Sequence, residues 1–425
     1  MWPRLVASKI ISKKLATNNF VADFPRSPES CLHLPTSDHD PVAPVILPEN
    51  QTTQNYNIFV STWNVGGVTP TEDLNIDHLL DTNNTCCHIY VLGKKCRNYY
   101  SSSIGICNEH TLTIGCVFQE VVPLKASNVL GLEKKNVSTK WNSLIERTLN
   151  KKSRTNDLGL KATKSNSESS DLLDDFRCLI SKRMVGLLIS VWVRTDLYPL
   201  FQNSNVSCIG CGIMGCLGNK GSVSVRFQLH QTSFCFVCSH LASGGGEGDE
   251  RNRNTDATEI FSRTSFPTTK GPKRILDHEY VRFDLIYFMI LNLHIDLSSR
   301  VVLLGDLNYR ISLLEKETRS LVNKKAWNRL LEYDQLRKEL MDGQFRAWHE
   351  GTIDFAPTYK YLPNSDEYFG KNDETKRAPA WCDRIIWTGD ELKQILYARS
   401  ESKLSDHRPV KAIFSTKTLK SDKSN

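Results

Sequence analysis

The sequence predicts one large α/β or α+β unit with β-sheets at its centre. Short apolar, β-branched runs recur along the chain, helical or charged stretches separate them, and no internal repeat is visible. The composition supports a packed core: of 425 residues, 40% are hydrophobic and 24% charged, with 8 Trp, 13 Tyr and 17 Phe. That balance excludes a mainly disordered or fibrous chain. Dividing by roughly 150 residues per domain would give about three domains, but the interleaving continues from residue 56 to 416 and reads as one domain.

Residues 1–55 read as a flexible basic and Pro-rich extension. Arg4, Lys9, Lys13 and Lys14 open it without an acid, and PRSPESCLHLPTSDHDPVAPVILPEN follows, rich in proline and poor in periodicity. The first strand is NIFVSTWNVGG, 57–67, an apolar run closed by a Gly pair. Further strands are predicted at HIYVLG (88–93), MVGLLISVWV (184–193), GSVSVRFQL (221–229), SFCFVCSHL (233–241), VVLLGDLN (301–308) and CDRIIW (382–387). KAWNRLLEYDQLRKELMDG, 325–343, predicts an amphipathic helix stopped by Gly343. Residues 135–175 drift into Lys/Ser/Asn-rich sequence and read as a mobile surface insertion, 243–260 begins as a glycine-rich loop over charges, and 417–425 as a disordered tail. The apolar stretch 281–300 is too short and too charged at its edges to span a bilayer.

Residues able to do chemistry sit at the ends of these runs. Asn64 follows the first strand, and Glu120 follows Cys116 to Gln119. His240 ends FCFVCS, Asp306 and Asn308 end VVLLG, Asp383 begins DRIIW, and Asp406-His407 lie in SDHRPV. Carboxylates, amides and imidazoles gathered at strand ends suit a hard divalent cation such as Mg²⁺ with substrate phosphate. Asp306 and Asn308 are two apart, so an extended backbone would turn both side chains the same way. One would then take a proton from water while the other orients that water. Cys235 and Cys238 have CxxC spacing, but strand alternation points them to opposite sides of the sheet, which favours core cysteines over a metal or redox pair.

The net charge of +7 suits an anionic partner without choosing one. The basic start suits either peripheral contact with an anionic membrane or a solvated tail. No secretory h-region is present, so the 13 cysteines are expected to be reduced thiols in a cytoplasmic or nuclear protein, or one peripheral at membranes.

The motifs STWNVGG, FQEVVPL, LGNKGSVSVRF, SHLASG, GDLNYRI, GTIDFAPTYKY, RAPAWCDRIIW and SDHRPV occur in this order. Together they resemble the inositol polyphosphate 5-phosphatases of the endonuclease/exonuclease/phosphatase superfamily, in the plant type I style, from about Asn57 to Phe414. The resemblance implies a two-layer β-sandwich flanked by helices, with the site at one end. It also implies Mg²⁺-dependent removal of the 5-phosphate from inositol phosphates or phosphoinositide headgroups. Asn64, Glu120 and Asp406 match the metal-side residues. Asp306 matches the residue that activates or holds the attacking water, and Asn308 its partner at the transition state. His407 matches the histidine on the scissile phosphate, oriented by Asp383, and His240 a second histidine meeting it. Asn219, Lys220, Tyr359, Lys360, Lys376 and Arg377 match substrate-binding positions, with Lys360 and Arg377 gripping a neighbouring 4-phosphate. The pattern departs at Thr375, where relatives often have a base, with Lys376 as its substitute.

Two departures are larger. In the family the strand IYVLG runs directly into FQE, but here 94–117 intervenes; a second insertion lies near 280–300. Each reads either as a lineage-specific loop or as translated intron sequence. The rival readings are a superfamily nuclease and a catalytically impaired phosphoinositide-binding homologue. Aromatic residues interleaved with a long basic stripe are missing, which argues against nucleic acid.

Overall fold

The computed structural model describes residues 53–80, 114–121, 136–151, 175–212, 215, 217–269, 271–277, 300–370, 377–389 and 391–419. Two six-stranded sheets form the core. The first has the order β11-β12-β1-β2-β4-β3 and the second β5-β6-β7-β8-β10-β9. The strands of the first are β1 (Thr53–Asn64), β2 (Ile114–Gln119), β3 (Phe176–Met184), β4 (Leu187–Arg194), β11 (Leu392–Arg399) and β12 (Val410–Leu419). Those of the second are β5 (Phe201–Gly210), β6 (Gly221–Leu229), β7 (Thr232–His240), β8 (Arg300–Asp306), β9 (His349–Glu350) and β10 (Asp383–Thr388). Among the described strands, β1/β2 and β7/β8 pair in parallel, one pair near the middle of each sheet.

Strand alternation decides which side chains meet. Along β8, Val302 and Leu304 enter the main core, whereas Val301 and Leu303 join a second cluster with Ala257 and Ile260. Those last two lie on a helix over the outer face, α3 (Asp249–Arg263), which follows α1 (Asp77–Leu80) and α2 (Asn136–Leu149) in the chain. Cys238 falls in the main core and Cys235 in the outer cluster, as period-two alternation requires. The architecture is therefore the two-layer sandwich flanked by helices. Among the described residues no helix is long and apolar enough to cross a membrane.

Several boundaries differ from the sequence reading. Residues 136–149, within the stretch read as a mobile insertion, form α2. Its Trp141 is fully buried and packs on Phe118 and Trp63, with ring centroids 4.6 and 6.3 Å apart. The Lys/Ser/Asn background hid the apolar stripe of Val137, Trp141, Leu144 and Ile145. The stretch 243–260, which begins as a loop, is helical from Asp249 onward, with Arg253, Ala257 and Ile260 buried. At the C-terminus, Lys417, Thr418 and Leu419 pair with Asn55, Gln54 and Thr53, so the sheet extends beyond both predicted edges of the domain. Backbone hydrogen bonding holds these polar residues, and hydropathy carries no signal for it.

The helix predicted over 325–343 is two helices, α5 (Trp327–Leu331) and α6 (Gln335–Met341), preceded by α4 (Glu315–Asn323). Asp334 breaks it: its backbone is extended and its side chain caps α6 by accepting from Arg337 N at 2.8 Å. That carboxylate is also held at 3.0 Å by the buried Arg384 of β10, a tertiary demand invisible to local periodicity. Finally, both insertions end earlier than they read. Ile114 to Val117 belong to β2, and Arg300 to β8. The strand predicted at 88–93 lies outside the described residues.

Candidate active site

Register brings three site residues side by side. His240 ends β7 opposite Asp306 of β8, and Asp306 is opposite Asp383 of β10. All three share the parity of Leu304 and Ile385, so they face the interior at one end of the sandwich. Asn64, at the end of β1 in the other sheet, closes the row by donating from Nδ2 to Asp306 Oδ2 at 2.9 Å. The close approach of β7 and β8 is possible because residue 305 is glycine. Its φ is +150°, and a Cβ there would lie 1.8 Å from Ser239 O.

The short motifs explain how His407 is placed. Ser405 Oγ donates to Asn64 O at 2.6 Å and accepts from His407 N at 3.0 Å, while Trp63 Nε1 donates to His407 O at 3.3 Å. The SDH and TWN segments thus lock together across 344 residues of sequence. His407 Nδ1 meets Asp383 Oδ2 at 2.8 Å, and Thr358 Oγ1 donates to the same oxygen at 2.7 Å. Asp306, Asp383 and His407 bring their ligand-capable atoms within 4.8 Å of one another.

Charge is strongly coupled here. Burial works against the His407 imidazolium, but Asp383 and Asp306 outweigh it and raise its pKa to about 9. Burial likewise opposes ionisation of Asp306, yet His407, His240 and Lys220 hold its carboxyl well below the usual range. Burial raises the Asp383 carboxyl, with His407 pulling it back. His240 shifts the other way: burial and Lys220 together lower it against the pull of Asp306 and Glu120. Its Nε2 lies 2.5 Å from Lys220 Nζ, 3.2 Å from Asp306 Oδ2 and 3.9 Å from Glu120 Oε1. His240 Nε2 is thus engaged by Lys220 and Asp306 together.

Asn308 departs from the extended geometry predicted for it. The strand stops at Asp306, and Asn308 has φ +59°, a left-handed conformation. Its amide is positioned by that turn and not by strand alternation. Glu120 is similar: it follows β2 with φ +52°. Non-glycine residues held in this region mark functional sites often enough to be informative.

Asp406 lies against the Asn64–Gly66 turn, since a Cβ on Gly66 would be 3.4 Å from its Oδ1. Its Oδ2 pairs with Lys360 at 3.0 Å, so this residue, expected at the metal, is joined to the lysine expected at the substrate. Lys360 Nζ also sits 5.3 Å from the Phe369 ring centroid and 5.6 Å from that of Tyr359. Tyr359 packs on His407, centroids 4.5 Å apart, and accepts from Arg377 NH1 at 2.8 Å. Asn219 Oδ1 is buried without a hydrogen-bond partner. Lys376 lies outside the described residues.

Three arginines escaped the sequence reading. Arg310 lies within GDLNYRI and donates to Asn308 Oδ1 at 2.7 Å. Arg319 of α4 donates to Phe369 O at 2.6 Å and Arg377 O at 3.2 Å, so one side chain holds both positions. Arg253 of α3 holds Gly244 O at 3.0 Å, in the loop after His240. The motif position of Arg310 was a usable signal; Arg319 and Arg253 had none.

This fold and site define a protein of the Endonuclease/Exonuclease/phosphatase family 2, whose model matches residues 61–413. Among curated proteins of Arabidopsis thaliana, Type IV inositol polyphosphate 5-phosphatase 9 is 55% identical over 427 residues, covering 98% of this chain and 91% of that protein. Type I inositol polyphosphate 5-phosphatase 8 is 39% identical over 461 residues, covering 97% and 85%. The chain belongs to the inositol polyphosphate 5-phosphatase family. Among solved structures it is similar to the inositol polyphosphate 5-phosphatase domain of SPsynaptojanin in complex with inositol (1,4)-bisphosphate and calcium ion. That likeness has a TM-score of 0.63 at 27% identity, covering 88% of this chain and 87% of the other. Cimex nitrophorin, at 18% identity and TM-score 0.53 over 86% of this chain and 99% of its own, shares the fold alone.

Proposed function

We propose that this protein is a Mg²⁺-dependent phosphatase that removes the 5-phosphate from inositol polyphosphates or phosphoinositide headgroups. One observation carries the reading: the row His240–Asp306–Asp383 in register, closed from the other sheet by Asn64 and from the SDH segment by His407. The names of the relatives, and the inositol (1,4)-bisphosphate bound by the SPsynaptojanin domain, support the substrate class.

The donor set fits a hard cation. Asn64, Glu120 and Asp306 offer oxygens at the ends of three strands, the kind of ligand Mg²⁺ takes. When bound, the ion offsets charge on phosphoryl oxygens. The chain's own residues account for the rest. Asp306, kept ionised by its cationic neighbours, accepts a proton from the attacking water and aims it. His407 keeps its proton at neutral pH, uses Nδ1 on Asp383, and has Nε2 left to donate to the scissile phosphate. Lys220 lies beside His240, its ammonium opposed by burial and supported by Asp306 and Glu120. Lys360 and Arg377, gathered around Tyr359, suit a neighbouring phosphate on the ring.

The test measures phosphate release from inositol 1,4,5-trisphosphate beside cleavage of plasmid DNA, each with Mg²⁺ and with chelator. Mg²⁺-dependent release without DNA cleavage is expected. Asp306→Ala should remain folded and lose about 10²–10⁴-fold in turnover. DNA cleavage without phosphate release would favour a nuclease. Binding of the trisphosphate without turnover would favour an impaired binding module.

A further inference from the structure

Both polar groups of the Asn308 side chain are committed to fixed partners. Oδ1 accepts from Arg310 NH2 at 2.7 Å, and Nδ2 donates to Leu241 O at 3.1 Å. A guanidinium only donates and a backbone carbonyl only accepts. Turning the amide over would set donor against donor and acceptor against acceptor, so one orientation survives. Of its donors the second Nδ2 proton remains, and although Oδ1 keeps a second lone pair, a phosphoryl oxygen can only accept.

Arg310 is itself held from several directions. Its backbone N donates to Gln335 Oε1 at 2.9 Å, and Arg253 NH2 donates to the same oxygen at 2.7 Å. Its guanidinium lies 4.6 Å from the Tyr359 ring centroid, and its Nε is buried without a hydrogen-bond partner. A buried N–H left without an acceptor costs free energy, so the guanidinium is held in place by what its other groups reach. Here the requirement is a fork that reaches Asn308 while its plane lies by Tyr359, which a lysine point charge cannot reproduce.

We propose that Arg310 is a positioning residue that locks the Asn308 amide so that Asn308 offers the reacting phosphoryl group an N–H donor and not an oxygen acceptor. The inference rests on the 5-phosphatase reading above. It divides the labour at the GDLN turn: Asp306 accepts from water, and Asn308 donates to a phosphoryl oxygen as charge develops there.

The experiment compares Asn308→Ala, Asn308→Asp, Arg310→Lys and the Asn308→Ala/Arg310→Lys double variant. Steady-state phosphate release from inositol 1,4,5-trisphosphate with Mg²⁺ is measured for each, with thermal unfolding as the folding control. Asn308→Asp keeps an acceptor toward Arg310 but has no N–H. It should lose kcat as far as Asn308→Ala does, on the order of 10²-fold, with KM little changed. Arg310→Lys should lower kcat by roughly 10–10²-fold through misplacement of the amide. The double variant should be no slower than Asn308→Ala alone. Near-normal kcat in Asn308→Asp would overturn the donor assignment. A double variant as slow as the product of the two single losses would overturn the positioning role. The two Asn308 variants leave Arg310 in place, so the donor assignment remains decidable if Arg310→Lys does not fold. A wild-type chain inert toward the trisphosphate would instead overturn the functional reading, a result distinct from an active wild type with an active Asn308→Asp.

Discussion

Asp383 and His407 form the buried pair on which the pH behaviour of the site turns. Burial alone would discharge the imidazole, but two carboxylates nearby raise its pKa to about 9. The imidazolium is therefore present at neutral pH and lost as pH rises through about 9, so turnover should fall on that alkaline limb. Stability has the same sign. A folded pKa above the unfolded value contributes stability fully below about 6.5, and that contribution disappears as pH rises through about 9. Asp383→Asn removes the nearest charge while keeping a polar group of the same size. Its alkaline limb should move to lower pH, read from kcat against pH for both proteins. An unmoved limb would mean that His407 is not the group titrating there. Residue identities such as these were legible in the sequence because the chemistry requires them. The pairing of Asp406 with Lys360 and of Lys220 with His240 was not, because each joins segments far apart in the chain.

At the scale of the element, β2 is the informative case. It pairs in parallel with β1, Trp63 opposite Phe118 and Asn64 opposite Gln119, and so delivers Glu120 to the site. Four of its six residues, Ile114 to Val117, come from the stretch read as an insertion. Deleting 94–117 would join HIYVLG to FQE and supply a strand of the same reach with Tyr90, Val91, Leu92 and Gly93 where Ile114, Gly115, Cys116 and Val117 now stand. The exchange only moves the strand's one glycine from Gly115 to the position of Val117, so the strand itself is nearly neutral, but the connection from β1 is shortened by about half, which is worth roughly 0.6 kcal/mol of closure entropy. The shortened chain should therefore melt at a higher temperature and release phosphate faster. Calorimetry and the phosphate assay on both chains check this. A lower melting point and slower release would identify Ile114–Val117 as the better strand. The α5–α6 break shows the opposite limit of sequence reading. The amphipathic period was real, but Asp334 served Arg384 and a helix cap at once, and a continuous helix cannot meet both demands.

Across the whole molecule, one buried ion cluster ties the second sheet to its helical cover. Arg384 of β10 pairs with Asp334 at 3.0 Å and Glu350 of β9 at 2.5 Å, and Tyr397 of β11 donates to Glu350 at 2.9 Å. The cluster joins both sheets and α6 one residue beyond Asp383. Arg384→Ala would leave two carboxylates buried without a counter-ion, which typically costs about 3–5 kcal/mol. Denaturant unfolding should report that loss, whereas Lys417→Ala, whose side chain is exposed near the end of β12, should change stability by no more than about 0.5 kcal/mol. An Arg384→Ala protein as stable as the wild type would show that the cluster does not anchor the layers. By itself the sequence determined the chemistry: which side chains stand at strand ends, the motif order, and the period-two pattern that sends Cys235 and Cys238 to opposite faces. Those are local properties, carried by residue type and spacing. Only the tertiary structure decided that His240, Asp306 and Asp383 share one row, that α2 is core, and that the polar C-terminal residues complete β12. Register and burial come from contacts between distant segments, and no local stretch of sequence carries them.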